Sequence, residues 1–518
     1  PFNVPVTWYG RPLGSEFKSP LSPKNIDQYN FNHSFIFSMD DRTEIEVSLV
    51  DSKHRSKHYR PDIIDSRFID ALNGNGGLNQ NETWDLFDST NNSQSLIDYV
   101  TGAEVSSKNA RQKSFNIFIS KIINNSTNLA FGVTKNREYL EIYYDELSRA
   151  EFNDNGQFIK TADLFFLGGG KNVSRSRDNI GAFFELLSTI NSNLNIRTSA
   201  RYESYDNDNS LDPKISFSYE LNNFFLIRSS ISTSFVMPSM AQMFSSEINL
   251  GSLRDIDDTS AFVRQALVGN QNLQAAESES FNIGLTFKKN SYKLLFDFWQ
   301  INFQDRIEIE NSQAILNQDS TSSKITRNEN GELVGVTTNY FNEENTEVSG
   351  YDLSFGISKD LEEFGSIYYS IEASIFNEFL SPNISKTRLV NRVGKFNYNN
   401  HTYSLPKKRI NTFLTWSISE INLNLSTRYI DGYINERTIK SSALNLGYSN
   451  KIKSSFMVDM SVSKEIGLKK GNIVIKLLAN NLFDKSAPKL YDAPDFSFDT
   501  RVHDPRGRIF GIGVEYNY

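Results

Sequence analysis

Several short stretches carry residue types that do chemistry elsewhere, and each fails on spacing or company. Gly168-Gly169-Gly170-Lys171 has the glycines and the lysine of a phosphate-cradling loop. The G-x-x-x-x-G-K-[ST] spacing is broken by Phe165 and Asn172, so the stretch reads as a flexible loop. His54 and His58 stand four apart, but Arg55-Ser56-Lys57 between them lacks the Glu of a zinc-protease helix. Zinc needs further ligands, and a solvated loop is the reading there. Asp206-Asn207-Asp208-Asn209-Ser210 opens like a calcium loop and then puts Leu211 where the turn needs Gly. It reads as a loop tip. Asp257-Asp258 and Glu343-Glu344 pair carboxylates. General acid–base work needs a pocket that shifts a pKa, and the sequence around them shows none. They read as solvated loop charge or as ligand contacts. No catalytic residue, metal site or cofactor is assigned, and the chain is not read as an enzyme.

The elements that would carry such loops announce themselves in the last stretch, Arg508 to Tyr518, R-I-F-G-I-G-V-E-Y-N-Y. Phe510, Ile512, Val514, Tyr516 and Tyr518 fall on every second position, with small or polar residues between them. A strand sends alternate side chains to opposite faces, so one face here is apolar. A sheet in lipid leaves no edge unpaired, and this strand is expected to close a barrel against the first one.

Composition allows that reading. Among 518 residues the hydrophobic share is 38%, the mean hydropathy is −0.45, and no apolar run approaches the roughly 18 residues of a membrane helix. Barrel strands are only half apolar, so a membrane protein is not excluded. The 39 Phe and 23 Tyr suit interfacial girdles. Without cysteine there is neither a disulfide framework nor a thiolate metal site. A net charge of −8 argues against nucleic acid as a partner. No signal segment follows Pro1, which reads as a processed or truncated start.

Along the chain, residues 1–30 read as loop, and Phe31–Asp40 with Glu44–Asp51 as a hairpin. Ser52 to Lys113 reads as one long polar loop, followed by strands at Ser114–Asn124 and Asn128–Val133. From Ile180 onward clean alternation recurs, as in Leu194 to Tyr202, Ile215 to Leu221, Ile421 to Tyr429 and Phe456 to Val462. Short links such as Asn191–Asn193, Lys288–Asn290 and Leu468–Gly471 alternate with long ones. The long ones are Glu203–Pro213, Val236–Glu279, Gln304–Asn345, Glu378–Lys407, Asp431–Ser454 and Asp484–Arg506. An up-and-down barrel with all its long loops at one end gives that rhythm. Roughly 17 to 20 strands fit, more than open sheets reach without curling.

Five motifs then appear in order: Thr233-Ser234-Phe235-Val236-Met237-Pro238-Ser239; Gly269-Asn270-Gln271-Asn272-Leu273 with Glu277; Thr346-Glu347-Val348-Ser349-Gly350-Tyr351-Asp352; Leu405-Pro406 with Arg409 and Asn411; and Asn481-Leu482-Phe483-Asp484. Together with the aromatic last strand they resemble the strand-end motifs of TonB-dependent outer-membrane receptors over Ile180–Tyr518. Both prolines of the family's G-N-P-N-L-x-P-E segment are missing, and Asp352 replaces a Glu.

The resemblance implies an all-β fold, a large antiparallel up-and-down transmembrane barrel. It would be part of a 22-stranded barrel with long extracellular loops and short periplasmic turns. Residues 1–518 would be barrel alone, N-terminally incomplete, with signal peptide, TonB box and plug outside the sequence. The implied function is TonB-coupled import of a scarce bulky nutrient across the bacterial outer membrane, an iron–siderophore complex before cobalamin or an oligosaccharide. Implied partners are outer-membrane lipid, the plug, the TonB energy-coupling complex and the barrel-assembly machinery. The alternative is a passive porin-like or adhesin-like barrel. Ligand-binding candidates are Asp255, Asp257, Asp258, Phe262, Tyr340, Phe341, Glu343, Glu344, Tyr398 and Tyr403, whose bland reading is loop charge, packing or girdle. Arg197, Arg201, Arg228 and Arg428 fall on the polar face, where they either pair with a plug or simply hydrate the lumen.

Overall fold

The computed structural model describes residues 12–14, 21–153, 158–205, 208–257, 259–383, 385–397, 403–436, 439, 441–491 and 497–518. One 21-stranded sheet dominates it. Four of its strands, Ser246–Arg254, Ser260–Val268, Ile325–Arg327 and Leu389–Asn391, are short and belong to loops. The other seventeen form the wall. They are Lys24–Asp40, Thr43–Ile63, Thr101–Asn124, Thr127–Tyr144, Val173–Asn191, Leu194–Tyr205, Asn209–Asn222, Phe225–Val236 and Ala276–Lys289. The rest are Tyr292–Ile309, Leu333–Asp360, Ser366–Pro382, Lys408–Ile418, Ile421–Ile430, Ser455–Gly467, Asn472–Asn480 and Ile509–Asn517. Each wall strand pairs antiparallel with the next along the chain.

The register carries one apolar face across the wall. Phe35 lies opposite Val47, Val47 opposite Ile117, and Ile117 opposite Val133. Near the other edge Leu425 lies between Leu414 and Met460, and Leu477 lies opposite Ile512. A one-residue slip anywhere would have turned the pattern over, so the alternation read from sequence and the pairing agree strand by strand. On this face Leu49, Phe131, Phe184, Phe217, Phe296, Leu353 and Leu477 are exposed. A soluble sandwich buries its apolar face, whereas a barrel in lipid turns it outward. The buried apolar clusters sit elsewhere, in the loops and strand tops at one end.

Connections alternate between the two ends. Turns at 41–42, 125–126, 192–193, 223–224, 290–291, 361–365, 419–420 and 468–471 lie at one end. The connections 64–100, 145–172, 206–208, 237–275, 310–332, 383–407, 431–454 and 481–508 lie at the other. Asn290 and Ser419 take positive φ, of 49° in each case, as tight hairpins require. No helix among the described residues is long and apolar enough to cross a membrane, which says nothing about strands.

Five expectations need correction. The Ser52–Lys113 loop shrinks to 64–100, since pairing runs without a break from Thr43 opposite Lys121 to Ile63 opposite Thr101. Gln304–Asn345 likewise shrinks to 310–332, and strand covers part of residues 1–30 from Lys24 on. In both long segments polarity marked where the strands leave the apolar band. Ladder hydrogen bonds hold a hairpin beyond that point whatever the side chains are. The Glu203–Pro213 link shrinks as well, because strand reaches Tyr205 and resumes at Asn209. Finally, the last strand is laddered to Asn472–Asn480 alone, and Lys24–Asp40 to Thr43–Ile63 alone. Closure of the last strand against the first is not among the pairings of the described residues. Both are sheet edges among the described residues.

Neighbouring loops at the long-loop end knit together. Ile63, Phe68, Trp84, Leu96 and Val100 make a small core under the helices Asp65–Leu72 and Gln94–Val100. Leu253, Val263, Leu316, Leu333 and Val336 join connections 237–275 and 310–332. The short strands Lys395–Phe396, Ser404–Leu405, Tyr433–Asn435 and Lys451–Ile452 form a separate four-stranded sheet from two different loops.

Candidate functional site

The polar face of the wall is charged and largely self-paired. Arg228 reaches over Gly284 to Asp297, with a fork of contacts at 3.1 and 2.5 Å. Arg201 pairs with Glu203 at 2.5 Å, Arg428 with Asp459 at 3.4 Å and Arg197 with Glu185 at 3.6 Å. All four arginines therefore stand on the predicted face. Their carboxylates come from the wall itself, so no second domain is needed to neutralise them. Their side chains remain between 41 and 51% exposed, which keeps each pair weak and each guanidinium reachable.

At the long-loop end this face opens into cavities. One of about 590 Å³ is walled by Arg175, Tyr205, Met237, Met240, Met243 and Phe244, with Asp208, Glu277 and Asp305 also on its lining. Half of the six methionines of the chain line it. They are placed by the strand-end motif: Val236 ends the strand, and Ser239 caps the helix Met240–Phe244 in a reciprocal capping box with Gln242. Arg177 donates to the Pro238 carbonyl at 2.7 Å and to Glu138 at 2.7 Å, fixing this loop to the wall. The guanidinium of Arg175 lies 5.0 Å from the Phe244 ring centre. A second cavity of about 460 Å³ shares Glu277 and adds Asp212, Glu279 and Glu347. Both volumes fall in the range of small-molecule sites.

The remaining motifs now have physical work to do. Asn270 donates its side-chain amide to the Tyr340 carbonyl at 2.9 Å, tying the G-N-Q-N-L turn to the neighbouring strand. A Cβ on Gly269 would lie 2.6 Å from the Ser245 carbonyl oxygen, so only glycine fits there. Gly350 sits at a β-bulge opposite Phe376. Asn481 bonds both the N–H and the carbonyl of Lys485 at 2.9 Å, and Asp484 accepts from the Arg508 N–H at 2.8 Å. That pair starts the last loop and returns it to the last strand. At Gly168–Gly170 the glycines serve close packing: Gly170 takes an N–H bond to Ser148 and bridges to Glu247 on a crossing strand. His54 and His58 lie on the strand Thr43–Ile63. Among the described residues no group of three or more His, Cys, Asp or Glu could hold a metal.

The ligand candidates separate. Tyr340, Phe341, Glu343 and Glu344 lie on the strand Leu333–Asp360 rather than in a loop. Glu343 is 3% exposed and pairs with Arg306 at 2.6 Å, which also meets Glu308 at 2.9 Å. Tyr403 donates to Glu308 at 2.5 Å, and Arg306 stacks on the rings of Phe379 and Tyr403. Glu343 and Tyr403 are thus committed to a structural network. Phe341 and Glu344 line a cavity of about 200 Å³ with Lys386, whose ammonium lies over the Phe341 ring. Asp255 is forked to Arg327 at 2.8 Å, which holds its carboxyl below the usual range. Asp257 caps its own turn through Thr259. Phe262 is 66% exposed. Asp258 and Tyr398 lie outside the described residues. The methionine cavity escaped sequence reasoning, although Met237, Met240 and Met243 at intervals of three directly after a strand-end motif were a usable signal.

With this geometry in hand, comparison with known proteins is specific. A family model described as TonB dependent receptor-like, beta-barrel, matches residues 2–482. The solved siderophore receptor PirA from Acinetobacter baumannii is similar at a TM-score of 0.62 and 13% identity, over 96% of this chain and 63% of that one. The ferric enterobactin receptor PfeA from Pseudomonas aeruginosa gives 0.62 and 13%, over 95% and 61%. The FrpB iron transporter from Neisseria meningitidis gives 0.56 and 11%, over 95% and 64%. At such identities the likeness is one of fold, and the chain spans less than two thirds of the length of each. None of the curated proteins compared matches in sequence. On the family match over nearly its whole length, the chain belongs to the TonB-dependent receptors, within their β-barrel.

Proposed function

We propose that this chain forms most of the barrel of a bacterial outer-membrane receptor that imports a scarce bulky nutrient with energy delivered through TonB. The family is one of transport receptors and not of enzymes. The observation that carries the reading is the arrangement of cavities of about 590 and 460 Å³ on the polar face, under long knitted loops. An iron–siderophore complex is the first candidate cargo, supported by the siderophore and iron receptors among the structural neighbours. The long-loop end is read as extracellular and the turn end as periplasmic. Membrane lipid meets the apolar face, and the barrel-assembly machinery inserts it.

The reading includes a longer protein in which further strands bring the wall to 22, a plug fills the lumen, and a TonB box precedes the plug. Its support is the share of the solved relatives that the chain spans, together with the two open edges. In lipid each edge would expose a row of unpaired N–H and C=O groups. The test is uptake by a deletion strain, complemented with the full-length gene, on defined iron, cobalamin and glycan sources. Accumulation of one of them should be restored, and should collapse when TonB is absent. Restored uptake that persists without TonB would overturn active import in favour of a passive pore.

A further inference from the structure

The last three connections at the long-loop end, 383–407, 431–454 and 481–508, meet at a buried aromatic and acid contact. Tyr433 donates its O–H to Asp499 Oδ2 at 2.7 Å, and the Arg501 N–H donates to Asp499 Oδ1 at 3.0 Å. The His503 ring stacks on Tyr433 with centroids 6.0 Å apart and planes 12° from parallel. Its backbone N–H bonds the Asp499 carbonyl at 3.0 Å. Tyr433, Asp499 and His503 are 3, 1 and 6% exposed. Phe396, Ile452 and Leu490 complete the apolar surround of Tyr433.

His503 Nε2 is buried with no hydrogen-bond partner among the described residues. Among the described residues the charged groups that act on this cluster are Asp499 and Arg501 from its own loop and Arg409 from the strand Lys408–Ile418. Both Asp499 oxygens are already engaged. Arg501 lies over the Phe396 ring at 5.6 Å.

We propose that His503 is a proton-operated latch on this loop cap. The neutral imidazole holds connections 431–454 and 481–508 together, and its protonation separates them. A proton on the ring creates a buried N–H with no acceptor among the described residues, beside the positive charge of Arg409. Burial, reinforced by Arg409 and opposed by Asp499, keeps the imidazole below its ordinary range. A base with a depressed folded value stabilises the contact fully above the unfolded value of about 6.5. That stability drains as pH falls below it.

Residues 1–518 hold no cysteine to compete for a label. Spin labels on Lys451→Cys and Lys489→Cys, both exposed, report the distance between the two loops in full-length protein in outer-membrane lipid. At pH 8 one narrow distance is expected. At pH 5 a longer, broader component should appear, and it should vanish on return to pH 8. His503→Phe keeps a stacking ring that takes no proton, and should show the narrow distance at both pH values. His503→Gln serves the same purpose should the Phe variant fail to assemble. An unchanged distribution in the native protein overturns the latch. So does a pH response retained in the Phe or Gln variant. No transport is measured, so the outcome is independent of the import reading.

Discussion

Leu425→Arg should destabilise the wall far more than Asn424→Arg, its neighbour one residue away on the opposite face. The strand Ile421–Ile430 has 10 residues. At about 3.3 Å per residue and about 40° of tilt it rises about 25 Å, the height of a barrel's apolar band. Leu425 falls near the middle of that rise, between Leu414 and Met460 on the apolar face. An arginine at the midplane of the lipid face costs about 2–4 kcal/mol. Tenfold in the folding equilibrium corresponds to about 1.4 kcal/mol, so the ratio of folded to unfolded protein should drop by a factor of roughly 30 to 700. Asn424 instead accepts from Thr415 at 2.9 Å and donates to Ser461 at 3.4 Å on the polar face. Arginine there loses two exposed or half-exposed hydrogen bonds and keeps its charge in water, a cost of about 1 kcal/mol. Denaturant unfolding in lipid vesicles, followed by tryptophan fluorescence and by heat-modifiable gel mobility, measures both. Equal costs, or a larger cost at Asn424, would refute the assignment of faces and with it the membrane barrel.

Deleting Phe510–Tyr518 should abolish heat-modifiable barrel in outer-membrane fractions, because it strips the whole ladder partner of Asn472–Asn480; normal insertion would remove the last strand from the wall. Shortening connection 237–275 or 310–332 should leave assembly intact, since loop-closure entropy varies slowly with length, and should lower nutrient uptake; normal uptake in both would move recognition elsewhere. Arg306→Ala strands the buried Glu343 and Glu308 carboxylates, a loss on the order of 3–5 kcal/mol to the local network. Proteolysis at the long-loop end should accelerate. An unchanged cleavage rate would make the network incidental.

How much was legible depended on how much of a residue's surroundings its neighbours in sequence supply. Period-two alternation over Ile421–Tyr429 or Phe456–Val462 is a property of one strand, and it marked the apolar face before any pairing was known, while fold class needed the rhythm of short and long links. The length of the hairpin Thr43–Asn124 was not legible. Beyond the apolar band Lys53, His54, Arg55 and Lys57 look like loop, and only their partners across the ladder, from Arg111 to Ser107, make them strand. Site residues fared worst for the same reason. Glu343 reads as a solvated acid until Arg306, 37 positions away, closes on it. The polar-face arginines were found by parity alone, while their partners Asp297 and Asp459 came from other strands.

The small sheet built from Lys395–Phe396, Ser404–Leu405, Tyr433–Asn435 and Lys451–Ile452 has a bearing on how such receptors diversify. Lys395 is laddered to Ile434, Ile434 to Lys451, and Leu490 of a third connection fills the core they share. A single one of these connections transplanted from a relative would arrive without its ladder partner and with a hole at its centre. Variation here has to travel in blocks of three, so recombination that exchanges 383–407, 431–454 and 481–508 together should yield folded chimaeras where one-at-a-time swaps do not. The wall strands between them can stay as they are.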